Sequence, residues 1–283
     1  MKKVANALTL LFSLTFVFGC CPSCKEEDDT VYFSIIGDSI STYAGWSNNA
    51  SVNTTIGENW VYYYENHPDL PNGVNDTWWK RTADRMGYEV LVNNSWSGSL
   101  ASCAESGPTN MDGCGRRAVN LHADTGKNAG KQPDVIAVYL GTNDYYQILN
   151  FGSYSEVDFD TLVQADGSGG YEYEIPANFA EAYAVMMHKI TTKYSSATVY
   201  CLPILPYSSG QGIAVIEQIN GIIFSLAEHF NATYVDTYTT FKNLRRFHTY
   251  MDDGSGGGIH PNAAGMGVIA DCVVEEMEKT KKS

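Results

Sequence analysis

Four short stretches of this chain carry residues suited to acyl chemistry: Gly37-Asp38-Ser39, Asn93-Asn94-Ser95-Trp96-Ser97-Gly98, Gly141-Thr142-Asn143-Asp144 and His260-Pro261-Asn262. A serine hydroxyl attacks a carbonyl only when a histidine or similar base takes its proton. The oxyanion that forms then needs hydrogen-bond donors aimed at it. Ser39 stands directly after a strand-like run, where a strand-to-helix turn both exposes a side chain and lends backbone N–H groups to an anion. The same tripeptide also reads as a simple helix start capped by Asp38 or Ser39. Nowhere does the chain contain a GxSxG elbow, so an ordinary α/β-hydrolase loses its main support. His67, His122, His188, His229 and His248 show no HExxH-type spacing, and no metal or cofactor is expected.

The elements that must position these motifs alternate along the chain. Val31–Ile36, Glu89–Asn93, Asp134–Leu140, Ala197–Leu202 and Ala232–Val235 are short apolar, β-branched runs that read as buried strands. Thr77–Met86, Asn178–Tyr194, Ile213–Phe230 and Ala263–Lys279 carry helical periodicity. This alternation predicts one α/β domain of three α/β/α layers around a parallel sheet of about five strands. Each motif follows a strand or opens a helix, so all four can meet at one sheet edge. Two aromatic insertions, residues 41–76 and 145–175, follow strand ends at that same edge. Tyr43, Trp46 and Trp60 in the first are candidate walls of a substrate site, the alternative being a cover packed on itself.

In order and spacing, the motifs resemble those of the SGNH hydrolase superfamily, the GDSL-like esterases and lipases, over about residues 31–275. The resemblance implies a flavodoxin-like sheet, Ser39 as nucleophile and His260 as base. It implies an oxyanion hole built from the backbone N–H groups of Ser39 and Gly98 and the side-chain amide of Asn143. Family members usually place an aspartate three residues before the histidine, and here that position is Gly257 within Gly254-Ser255-Gly256-Gly257-Gly258. Asp252 and Asp253 stand just upstream, and a glycine insertion lets one of them fold back. Asp253 ranks slightly ahead of Asp252, and a backbone carbonyl orienting His260 is the remaining alternative. An esterase acting on short acyl groups, with acetylated carbohydrate as its substrate, is the favoured function. A lipase, lysophospholipase or thioesterase on longer chains is the runner-up, and a non-catalytic glycan-binding lipoprotein is the outside alternative.

The ends and the cysteines add a location. Lys2 and Lys3, the apolar run Leu8–Phe18 and Val17-Phe18-Gly19-Cys20 read as a lipoprotein leader over residues 1–19. Residues 20–30 then form an acidic tether, and residues 31–283 the catalytic domain. An exported outer-membrane lipoprotein is expected, touching the membrane through its anchor alone. A formal net charge of −14 leaves no basic stripe for nucleic acid. Among 7 cysteines, Cys103 and Cys114 flank a turn-rich loop and are candidates for a disulfide, whereas Cys201 and Cys272 read as buried thiols.

Overall fold

The computed structural model describes residues 29–46, 62–148, 150–207, 212–252 and 258–282. The leader and most of the tether therefore lie outside the described residues. Strand β1 (Tyr32–Gly37) leads to helix α1 (Trp78–Met86) and strand β2 (Glu89–Ser95). Strand β3 (Val135–Tyr139) runs into a short helix α2 (Thr142–Gln147). A one-turn helix α3 (Phe159–Leu162) and a hairpin of β4 (Val163–Ala165) and β5 (Tyr171–Tyr173) follow. The chain continues through α4 (Phe179–Lys193), β6 (Thr198–Cys201), α5 (Ile213–His229), β7 (Thr233–Tyr234), α6 (Thr237–Asn243) and α7 (Ala263–Lys282).

Five strands form one parallel sheet in the order β2-β1-β3-β6-β7. This is the flavodoxin-like order, with its switch point between β1 and β3, where ligands sit beyond the strand ends. The strands are apolar throughout because both faces are covered. Phe33, Ile35, Ala137 and Tyr139 pack in one apolar layer with Trp78 and Trp79 of α1 and Met266, Ile269 and Val273 of α7. Ile36, Ile136 and Val138 pack in the other with Phe179, Tyr183, Met186, Met187 and Ile190 of α4 and Ile216, Ile219 and Ile223 of α5. Burying each large apolar side chain stabilises the fold by about 1.5–3 kcal/mol, so the layers rather than helix propensity fix these elements.

Local signals set the ends. At the start of α4, the Asn178 side chain accepts from the Glu181 N–H at 3.0 Å while the Glu181 carboxylate accepts from the Ala177 N–H at 2.7 Å. This reciprocal arrangement satisfies N–H groups that the helix itself leaves open. The second aromatic insertion is more ordered than its composition suggests. It contains α3 and the β4–β5 hairpin, which hangs outside the main sheet.

Candidate active site

The hydroxyl side of the site is built by the backbone. Asp38 Oδ1 accepts from the Ile40 N–H at 3.0 Å and caps a single 3-10 turn, Ser39–Ser41. The capping and nucleophile readings of the tripeptide are thus compatible, since Asp38 caps while Ser39 opens the turn. A Cβ at Gly37 would stand 2.8 Å from Ser41 Cβ and 3.0 Å from Ser95 Oγ, so only bare backbone passes there. Behind the turn lies Arg117, wholly buried, which donates to the carbonyls of Gly37, Asn94 and Met111. One guanidinium therefore ties the ends of β1 and β2 together, a use that suits its planar fork. Burial pushes the Asp38 carboxyl up to about 7, against a lowering from its bond to Ile40 and from the Arg117 charge. Burial likewise brings Arg117 down to about 9.

The imidazole side is built by side chains. His260 Nε2 lies 2.8 Å from Ser39 Oγ. Its Nδ1 faces Asp252 Oδ2 at 3.5 Å, an electrostatic contact at the outer limit of hydrogen bonding. Asp252 is itself fixed, because its Oδ1 accepts from the Gly258 N–H at 2.7 Å and its backbone N–H donates to the His260 carbonyl at 2.7 Å. A bridge between Met251 and Pro261 pairs the two flanks of this segment, so Asp252, upstream of the glycines, does stand beside His260. Of the two candidate aspartates, the structure places Asp252 beside His260, and Asp253 lies outside the described residues. The Met251–Pro261 pairing brings Asp252 directly opposite His260, which is the physical reason. Tyr63 stacks on the imidazole, with ring centroids 3.6 Å apart and planes 9° from parallel, and its hydroxyl donates to Asp252 Oδ2 at 3.4 Å.

The third side supplies donors. Gly98 sits at φ 76°, a left-handed conformation that side-chain-bearing residues avoid. Asn143 spends one amide hydrogen on the Ser99 carbonyl at 3.0 Å, which aims the group and leaves a second hydrogen to donate. Buried Asp144 accepts from the Ala101 and Ser102 N–H groups at 2.8 and 2.9 Å, locking the loop that follows Gly98 to the start of α2. Ser39, Gly98, Asn143 and His260 line one cavity of about 320 Å³ with Tyr63, Ser97, Thr142, Tyr146 and Ile259. A larger apolar cavity of about 450 Å³, beside Arg116, Tyr173 and Lys189, includes none of those four residues.

The aromatic walls differ from expectation. Tyr43 is half-buried against the apolar layer of α1 and α7, and Trp46 lies with its ring 5.8 Å from that of Trp79. Apolar packing claims the Tyr43 ring, Trp46 stays largely exposed beside Trp79, and among the described residues neither lines the cavity; Trp60 lies outside the described residues. Among the described residues, the tyrosine rings that line it are Tyr63 and Tyr146, the latter 53% exposed. Sequence reasoning also passed over Arg117 and Asp144. Asp144 carried a signal in its adjacency to Asn143, whereas nothing around Arg117 distinguishes it from a surface arginine.

A hydroxyl on an imidazole that itself faces a carboxylate can take part in nucleophilic attack on an acyl carbon. Amide donors beside it can hold the resulting oxyanion. On a flavodoxin-order sheet, this is the layout of a serine ester hydrolase. The sequence matches the model of the GDSL-like Lipase/Acylhydrolase family over residues 35–268, and the chain belongs to that family, an SGNH-type hydrolase. No curated protein matches it. The fold resembles a crystal structure described as a GDSL-like lipase from Bacteroides ovatus, with a TM-score of 0.59 at 22% identity, covering 88% of this chain and 99% of the other. A similarly described protein from Bacteroides uniformis shares the same TM-score and identity, with 88% and 96% coverage.

Proposed function

We propose that the protein is a serine esterase of short acyl groups, chiefly acetyl esters on carbohydrate. Ser39 attacks the ester carbonyl as His260 takes its proton, and Asp252 stabilises the imidazolium. The backbone N–H groups of Ser39 and Gly98, with the Asn143 amide, hold the oxyanion. His260 then returns the proton to the departing alcohol, and water repeats the sequence to free the acid and regenerate Ser39. The observation that carries the acyl-length reading is the cavity itself. Its volume is roughly 320 Å³, and among the described residues that line it Ile259 is the one aliphatic side chain, the others being Ser39, Tyr63, Ser97, Gly98, Thr142, Asn143, Tyr146 and His260. A long acyl chain gains about 0.8 kcal/mol per buried methylene only where a continuous apolar channel receives it, and the described lining offers a single aliphatic side chain in a small cavity rather than such a channel. Exposed Tyr146 offers a flat ring to a sugar's C–H face. The leader supports export as a lipoprotein, where extracellular glycan esters are within reach; mass spectrometry of native protein would then find a diacylglycerol on Cys20.

The test is a series of p-nitrophenyl esters from acetate to palmitate, run beside acetylated xylan, with Ser39→Ala as the blank. Expected is a maximum at acetate, a steep fall beyond about four carbons, and at least a 10⁴-fold loss in the blank. Tyr146→Ala should lower kcat/KM on the acetylated glycan more than on p-nitrophenyl acetate. Peak activity at eight carbons or more would favour a lipase instead.

A further inference from the structure

We infer that Cys103 and Cys114 are an oxidisable pair whose disulfide clamps the segment carrying Gly98. The backbone already holds the two stretches side by side: Gly113 donates to the Leu100 carbonyl at 2.8 Å and Cys114 to that of Ala101 at 3.0 Å. Cys103 follows two residues later and packs against the apolar cluster that contains Cys114 and Ala101, each thiol standing near enough to influence the other's ionisation. The other described thiols have different neighbours. Cys201 bonds to Met187 Sδ at 3.7 Å and Cys272 to Thr240 Oγ1 at 3.5 Å. Accessibility divides the roles within the pair, since Cys103 is partly exposed and Cys114 is buried.

The segment so clamped is the lip of the catalytic cavity. Ser97 and Gly98 line it, the Ser99 carbonyl aims Asn143, and Ala101 and Ser102 are bound by Asp144. Cys103 is the next residue, so a bond to Cys114 fixes the far end of the lip. That bond anchors it just before the turn Arg116–Val119, which holds buried Arg117. Oxidation proceeds by exchange with a small or protein disulfide. The Cys103 thiolate attacks one sulfur of the reagent, whose S–S bond breaks, and the first thiolate leaves. The Cys114 thiolate then attacks Cys103 sulfur in the mixed disulfide, and the second thiolate leaves. The protein pair loses two electrons and two protons; the reagent gains both and departs as two thiols.

The full chain, purified under reducing conditions, is treated with glutathione disulfide, alkylated and digested without reductant. A peptide pair joined through Cys103 and Cys114, two hydrogens lighter than its reduced parts, is expected. The oxidised protein should melt about 6–12 °C above the reduced one, from the loop closed and the size of the chain. Cys103→Ser/Cys114→Ser should melt with the reduced form and ignore the reagent. Alkylation of both residues, a stable glutathione adduct on Cys103, or equal melting temperatures of oxidised and reduced protein would overturn the clamp. None of these outcomes depends on which ester is hydrolysed.

Discussion

The hydroxyl side and the imidazole side of the site are held by different physics. Ser39 is placed by backbone: a strand end in the middle of the sheet, a one-turn cap, a glycine passage and a buried guanidinium on three carbonyls. His260 is placed by side chains at the rim: a stacked phenol, a facing carboxylate and a hairpin outside the sheet. The first arrangement shares its interactions with the core, so disturbing it disturbs folding. The second meets the core through Met251 and Tyr63, but the carboxylate facing the ring packs no apolar layer, so Asp252 can be changed chiefly at the expense of rate.

The largest expected effect breaks the hydroxyl side. Arg117→Met removes one donor from each of the carbonyls of Gly37, Asn94 and Met111, and takes from Asp38 its nearby charge. Urea unfolding should show a loss of about 3–5 kcal/mol together with most of the activity. Parental stability would mean that the strand ends hold without the cation. Next comes the imidazole side, where Asp252→Asn retains an acceptor for the Gly258 N–H but loses the charge facing His260. We expect turnover to fall about 10²-fold while the urea midpoint stays put, less than where a full hydrogen bond is lost. A large shift in midpoint would erase the contrast drawn above, and an unchanged rate would reduce the catalytic group to Ser39 and His260.

The smallest effect is a pH slope. The Asp38 carboxyl, raised by burial to about 7, is protonated in the folded protein over a range where it is ionised in the unfolded chain. Its contribution is therefore complete below the ordinary carboxylate range and is lost as pH rises through about 7. Arg117, brought down to about 9, stays charged in both states below that and adds no slope between pH 5 and 8. Stability should thus fall by roughly 2 kcal/mol from pH 5 to pH 8 in the parent, and Asp38→Asn should flatten that fall. Parallel profiles for the two proteins would place the slope elsewhere.

Much of this was legible in the sequence where a residue's job depends on its chain neighbours. The five strands follow from apolar runs that only a doubly covered sheet explains, and Ser39, Gly98, Asn143 and His260 follow from motifs at strand ends. Tyr43 was read as a wall because an aromatic ring in a loop looks the same whether it meets a ligand or the core, and here it packs on the core. Asp252 could not be ranked above its neighbour because strand pairing between Met251 and Pro261 decides which aspartate faces the ring. Arg117 was invisible because its partners are carbonyls of residues far away in the chain, such as Gly37. Helices α2 and α6 were too short to show a period.

The Asp252–His260 hairpin has a mechanical meaning. Acid and base ride on one closed unit, so any drift of that unit leaves their mutual geometry intact and opens a single gap, the 2.8 Å between His260 and Ser39. The machinery has one joint, and a short strut crosses it. Tyr63 takes its N–H to Thr42, three residues beyond Ser39, while its ring lies on His260, and the Tyr64 hydroxyl holds the Pro261 carbonyl at 2.8 Å. This two-residue strut therefore ties the turn that carries Ser39 to the hairpin that carries His260, and restrains the one gap between them.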